Sequence, residues 1–387
     1  MTADVTLAIN ASIVGGNPTG LGIYSIKLIR ALDEIRNDFF VYASSGNAFG
    51  ALRARIRRVP RATRPEYGAR GHVARLLWLQ GALRLWLSKT GAQGLLNTVP
   101  EGVLRSPVPQ VTVVHDLLPL RFPPEYPRQQ YYFRILVPRI LRDSRLVVAD
   151  SEHTRSDILE HYGVPAGKVK VIYPGYDAGA FFCSEANSSP RPPDDPYILY
   201  VGNLLPHKNL PRLLDAFALL RRRRPCRLII RGEGRPAYAR LLRERLESLG
   251  LRDAVTFAGY AGEDGLRRLY SDAVCLVLPS LGEGFGLPIL EAMACGTPVI
   301  TASASSLPEV AGDAALMVDP YDALGLADAM YRTLTDSGLR EDLRERGLRR
   351  VSAFTWRRTA LEFSRELAGA AGQNETHSLA SSPHDRA

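Results

Sequence analysis

The stretch from Val274 to Ile300, VCLVLPSLGEGFGLPILEAMACGTPVI, constrains the fold of this chain more than any other. Val274 to Leu278 is an apolar run of buried-strand length, and Pro279 and Ser280 end it. Gly282, Glu283, Gly284, Phe285 and Gly286 follow as a loop whose glycines let backbone N–H groups approach a ligand. Pro288 suits the first turn of a helix, which runs on through good helix formers to Ala294 and stops at Gly296. Thr297 to Thr301 read as the next strand. The unit is therefore strand, glycine loop, helix, strand, with a helix N-terminus suited to phosphates and other polar ligands.

Two carboxylates stand eight residues apart in it, Glu283 in the loop and Glu291 in the helix. A solvated helix charge is the plain alternative for Glu291. Glu283, Gly284, Phe285, Gly286, Pro288, Glu291, Ala292, Gly296, Thr297 and Pro298 in one register resemble the signature of the retaining glycosyltransferases of family 4. By that resemblance Glu283 faces the donor sugar and Glu291 holds the nucleotide ribose.

A chain of 387 residues accommodates two domains. No apolar stretch reaches transmembrane length, and MTADVTLAIN enters a strand-like run directly, without a leader-like segment. Cys183, Cys226, Cys275 and Cys295 are scattered and form no CxxC pair, which fits a reducing cytoplasm and points to neither zinc nor disulfides. The net charge of +9 is local: residues 53 to 89 hold nine Arg and one Lys against Glu66 alone. Such a segment suits an anionic partner. It contains no recognised nucleic-acid motif, so nucleic acid is not expected.

Along the chain, Val5 to Asn10 read as a strand, followed by the loop Gly15, Gly16, Asn17, Pro18, Thr19, Gly20 and an amphipathic helix to about Ile35. That loop is either a tight turn or a diphosphate cradle, and the resemblance implies that Gly16 and Gly20 close over donor phosphates and acceptor. A helix is expected from about His72 to Leu87, apolar over much of its circumference, with core packing and membrane contact as the two explanations. Val111 to Val114 read as a strand ending in His115-Asp116. Strand ends face the ligand crevice in open α/β sheets. The context VVHDLLPL resembles a mannosyltransferase-containing subgroup of the family, in which the His contacts donor sugar or acceptor; bonding to a loop carbonyl is the alternative.

SEANSSPRPPDDP, residues 184 to 196, reads as a linker. A second series of strands and helices begins at Tyr197. His207, Lys208 and Asn209 stand where the family has a basic residue before Asn, which makes Lys208 the candidate cation for the diphosphate; a solvated helix-start lysine is the alternative. Asn203 occupies the position after Gly202 where the family often has Arg, so one phosphate charge is missing or supplied elsewhere. Gly259-Tyr260 lies where the family seats the base.

Composition and periodicity give two α/β domains with parallel sheets. The resemblance, over about residues 5 to 367, implies two Rossmann-like domains facing across a cleft, the GT-B fold. The expected division is an acceptor domain 1–183, linker 184–196, donor domain 197–354, helix 355–369 crossing back to the first domain, and disordered tail 370–387. The resemblance further implies transfer of a hexose with retention, by Glu283, His115 and Lys208, with the donor on Gly16, Gly20, Asn203, Lys208, Tyr260, Gly284, Phe285, Gly286, Leu287 and Glu291. GDP-mannose is the leading donor, with UDP- or dTDP-sugars open, and a nucleotide-sugar epimerase or a phosphorylase as other activities on this fold. The expected acceptor is a glycan or lipid-linked acceptor. No metal and no cofactor are expected, the nucleotide-sugar being a substrate. The segment Arg53–Lys89 is expected to hold a cytoplasmic enzyme on the anionic inner membrane surface.

Overall fold

A computed structural model describes residues 7–36, 38–52, 54–183, 195–259 and 262–378. Tyr260, Arg53 and most of the expected linker lie outside the described residues. The chain divides into two compact units: unit 1 from Met1–Leu120, Pro127–Gly175 and Trp356–Ala387, unit 2 from Arg121–Tyr126 and Tyr176–Thr355. The main passage between them falls at Gly175, before the Pro- and Ser-rich stretch that the sequence marks as linker.

Unit 1 is built on a parallel sheet of β1 (Leu7–Asn10), β2 (Phe39–Ala43), β3 (Arg55–Arg58), β4 (Gly94–Asn97), β5 (Gln110–Val114), β6 (Leu146–Ala149) and β7 (Val169–Val171), in the order β3-β2-β1-β4-β5-β6-β7. Alternate residues of β1 face opposite cores, as a strand covered on both faces requires. Leu7 and Ile9 pack with Leu28 and Leu32 of the helix Gly20–Ile35, whereas Ala8 packs with Leu79, Leu83 and Leu87. Ala360, Phe363 and Leu367 of the C-terminal helix share the first of these cores, so that helix is part of unit 1. It runs from Trp356 to Ser378, past the expected end at 369, through the strong helix formers Ala368, Ala370 and Ala371.

The arginine-rich segment is more ordered than its composition suggests. Arg55–Arg58 forms edge strand β3, where charge blocks pairing with other chains. The expected helix spans residues 68 to 89 with a π-helical stretch at Leu79–Leu83. Trp78 and Trp86 turn inward against Tyr42, and the Arg57 guanidinium lies 4.6 Å from the Trp86 ring centroid. Arg75 is buried and bidentate to Glu101, at 2.7 and 2.9 Å, with His72 Nδ1 2.9 Å from the same carboxylate. Of the segment expected to face an anionic partner, Arg75 is thus turned inward, where it neutralises a buried carboxylate.

Unit 2 repeats the plan with β8 (Tyr197–Val201), β9 (Arg227–Arg231), β10 (Val255–Ala258), β11 (Cys275–Leu278), β12 (Val299–Ala302) and β13 (Ala315–Val318), all parallel, ordered β10-β9-β8-β11-β12-β13. Strand order reverses between β8 and β11, and the crevice at such a switch is the ligand position of open α/β sheets. The β8 and β9 loops touch through glycine: a Cβ on Gly232 would lie 1.8 Å from the Gly202 carbonyl oxygen.

The Arg75–Glu101 pair has a checkable cost. Burial alone raises a carboxyl pKa, yet hydrogen bonds and charge from His72 and Arg75 hold Glu101 down at about 2, against an ordinary 4.5. Its contribution to stability is therefore complete above pH 4.5 and is lost as pH falls toward 2. Arg75→Ala strands a buried charge and is expected to lower stability by about 3–5 kcal/mol at neutral pH. In urea titrations that difference should shrink as the pH is lowered.

Candidate functional site

Lys208 and Glu283 are brought together by the two loops at the β8–β11 switch. Lys208 Nζ donates to Glu283 Oε2 at 2.6 Å, and Ser280 Oγ donates to Oε1 at 2.8 Å. Both side chains are 13% exposed, so the pair is screened by little water but remains reachable. The β8 loop makes a 3-10 turn at Pro206–Lys208 and passes through Asn209 in the left-handed region, φ +61°. Asn209 Nδ2 then donates to the carbonyls of Pro279 (3.1 Å) and Pro320 (2.7 Å). The Leu281 amide donates to the His207 carbonyl at 2.8 Å. The two loops are thus sewn together through backbone groups on both sides of the ion pair.

The glycine loop owes its shape to serines the sequence did not single out. The Glu283 amide donates to Ser305 Oγ (2.8 Å), which donates back to the Glu283 carbonyl (2.6 Å). Ser306 Oγ lies 3.0 Å from the Phe285 carbonyl. Ser305 is itself left-handed, φ +60°. Gly286 precedes the helix Leu287–Ala294 at φ +105°, which a glycine tolerates and most residues do not. Gly284 and Leu287 are half-buried around this helix start. Phe285 is buried, edge-on to Phe354 at 5.8 Å. Its ring belongs to the core, so any donor contact it makes is through its backbone.

Glu291 is half-buried in the helix, and Tyr270 OH donates to its Oε2 at 2.8 Å. Tyr270 is fully buried; burial first, then the Glu291 charge, drive its pKa well above the ordinary value, so it stays a donor. This tyrosine, 21 residues before Glu291, fixes one oxygen of the carboxylate. Asn203 is exposed and brings no charge to the β8 loop.

The sequence-flagged residues of unit 1 form a separate set. Gly16 and Asn17 amides donate to the Glu66 carboxylate, the latter at 3.0 Å. Partial burial would raise the Glu66 pKa, but these bonds and Arg64 lower it. The loop before the helix Gly20–Ile35 therefore binds an anion, and the anion here is the chain's own carboxylate. Gly20 opens the helix with free space around it. His115 is buried, with Nδ1 2.6 Å from Asp150 Oδ2 and Nε2 2.9 Å from the Thr98 carbonyl. Both partners accept, which suits an imidazolium; burial opposes the charge, Asp150 favours it, and the net shift is upward. Bonding to a loop carbonyl, the alternative reading of the sequence, is what the geometry contains.

Comparison with known proteins supplies the chemistry. The family described as Glycosyl transferases group 1 matches residues 184–350, and Glycosyltransferase Family 4 matches residues 18–179. The O-antigen chain mannosyltransferase RfbU of Salmonella typhimurium is 30% identical over 334 residues, covering 82% of this chain and 87% of that protein. The O-antigen chain mannosyltransferase B of Escherichia coli is 31% identical over 261 residues, 64% of this chain and 66% of its own length. Among solved structures, sucrose-phosphate synthase from Thermosynechococcus elongatus superposes with TM-score 0.76 at 24% identity, over 97% of this chain and all of that one. HepE of Anabaena, solved with UDP and glucose, gives 0.74 at 21%, over 94% of this chain and all of that one. These likenesses show the GT-B fold.

The glycine loop can be tested on its own. A Cβ at Gly286 would sit 2.9 Å from Leu307 Cδ2 as well as forcing a left-handed backbone. Gly286→Ala is expected to lower stability by about 1–3 kcal/mol. Denaturant titration measures this, and an unchanged midpoint would mean that the loop is not held in this conformation.

Proposed function

The chain belongs to the family 4 glycosyltransferases, and from that premise we propose that it is a retaining enzyme transferring mannose from GDP-mannose to a hydroxyl of a growing, lipid-linked glycan. The names of its relatives, O-antigen chain mannosyltransferases, support mannose as the transferred sugar and a glycan as the acceptor. The observation that carries the reading is the Lys208–Glu283 pair at the switch of the second sheet. In this reading unit 2 takes the donor and unit 1 the acceptor. Lys208 turns part of its charge from Glu283 to the donor diphosphate, while Glu283 orients the sugar hydroxyls. Charge growing on the departing diphosphate is met by Lys208 and by the amides from Gly284 to Leu287, fixed in advance by Ser305, Ser306 and Gly286. The donor's own β-phosphate oxygen takes the acceptor proton, so the protein positions rather than supplies a base. Glu291, held by Tyr270, binds ribose. His115 shapes the acceptor side, and the reaction proceeds without metal.

The proposal extends to a peripheral membrane location. No helix among the described residues is long and apolar enough to cross a membrane. Yet the helix over residues 68 to 89 exposes Val73, Leu77 and Leu85, with exposed Arg70, Arg84 and Lys89 nearby in the same helix. Apolar side chains among basic ones fit the interface of an anionic leaflet, where each Lys or Arg contributes roughly 1 kcal/mol.

The donor assay is transfer, or slow donor hydrolysis, with GDP-mannose against UDP-glucose, UDP-N-acetylglucosamine and dTDP-sugars in EDTA. GDP-mannose should lead and chelation should leave the rate intact; a rate restored only by manganese or magnesium refutes the metal-free mechanism. Glu283→Ala should mainly reduce kcat, while Glu291→Ala should mainly weaken nucleotide binding, because a ribose contact is present in ground and transition states alike.

Flotation with liposomes tests the surface. Binding to phosphatidylglycerol vesicles should fall with salt, and should be lost when Leu77 and Leu85 are changed to Gln together with Arg70 and Arg84. Equal behaviour on neutral vesicles would overturn the assignment.

A further inference from the structure

The sequence between Leu120 and Pro127 belongs to unit 2, although its flanks belong to unit 1. These six residues, Arg121 to Tyr126, are fastened by Glu125. Its Oε1 accepts the backbone amide of His207 at 2.9 Å and its Oε2 lies 2.6 Å from His207 Nδ1. Glu125 is 8% exposed and His207 1%. Phe122 stacks on the imidazole at 5.1 Å, and the Arg235 guanidinium donates to the Glu125 carbonyl at 2.8 Å. Burial, then the neighbouring Lys208 charge, lower the His207 pKa despite Glu125, which agrees with a neutral ring donating through Nδ1–H. Nε2 is buried without a partner among the described residues, so a second ring proton would gain nothing.

His207 is gripped at every polar point of its backbone. Its amide is held by Glu125, and its carbonyl accepts from Leu281, two residues before Glu283. The next residue is Lys208, whose ammonium meets Glu283, and the one after is Asn209, pinned to Pro279 and Pro320. A lysine stem has many rotamers, and fixing it costs entropy unless its backbone and tip are both held. Here Glu125 holds the backbone on one side and Asn209 on the other.

We propose that Glu125 and His207 are positioning residues for the transfer reaction: the Glu125 carboxylate clamps His207 and thereby sets Lys208 in place against Glu283. The proposal rests on the reading of Lys208 as the cation for the donor diphosphate. A misplacement of the order of 1 Å at such a charge can reduce turnover about 100-fold.

The experiment is a double-mutant cycle on the full chain. Wild type, Glu125→Ala, Lys208→Met and the double variant are compared for kcat and donor KM. The substrate is whichever of GDP-mannose, UDP-glucose and UDP-N-acetylglucosamine the wild type turns over, with donor hydrolysis as a sufficient readout. Glu125→Ala should lower kcat about 10- to 100-fold. Donor KM should move by less than about threefold, since the groups that bind base and ribose are untouched. The double variant should be no slower than Lys208→Met, because the clamp has nothing left to position. Glu125→Gln, which keeps an acceptor for the His207 amide, should restore most of the rate; if Glu125→Ala melts below the assay temperature, it replaces Ala in the cycle, with a smaller loss and the same non-additivity. Multiplying losses, or a Glu125→Ala enzyme as fast as wild type, would overturn the positioning role. A Lys208→Met enzyme as fast as wild type would instead overturn the reading of Lys208, and the positioning role with it, and that single variant identifies the cause.

Discussion

A lysine and a glutamate 2.6 Å apart and 13% exposed cannot be held by their attraction alone. Two partly dehydrated charges contribute little net stability even when paired, and either one is costly when left without the other. The surroundings must therefore supply the geometry, and the second unit does so by local backbone strain. Among the described residues three non-glycines have left-handed backbones, and two of them, Asn209 and Ser305, hold the loops on either side of this pair. Gly286 adds a third such turn at the helix start. Strain of this kind persists only where the surrounding structure over-determines it, and it collects at sites that work.

The sequence exposed the ends of this arrangement more readily than its middle. The 274–300 stretch could be read directly, because a strand, a glycine loop and a Pro-started helix each have a local signature. Glu283, Glu291 and Lys208 followed from register. Tyr270 and Ser305 did not, because each acts on a carboxylate or loop some 20 residues away and neither residue type is unusual in its own stretch. The Glu125–His207 clamp spans 82 residues, and no local pattern marks it. Strand β3 was hidden for a different reason: three arginines in four residues look like solvated chain, yet charge of that kind is what an edge strand uses to stay unpaired. Phe285 shows the converse, a motif residue whose side chain works for the core.

Net charge proved to be a coarse guide to surface. Of the basic residues between 53 and 89, Arg75 is consumed by a buried carboxylate, Arg57 lies over aromatic rings, and Arg64 sits beside Glu66 at the glycine loop. What remains free for a partner is smaller than the count, but it is joined by exposed Val73, Leu77 and Leu85, which the apolar pattern of the helix did not distinguish from its inward leucines.

The placement of Ala360, Phe363 and Leu367 in the first unit's core has a consequence for how the protein is made. The helix Gly20–Ile35 leaves the ribosome well before the C-terminal residues that share its core. Roughly 180 residues separate Gly175 from Trp356. At bacterial or eukaryotic elongation speeds the nascent unit therefore waits about 10–40 s with an apolar flank uncovered. A chain truncated before Trp356 would lack Ala360, Phe363 and Leu367 and leave that core permanently short of its last layer.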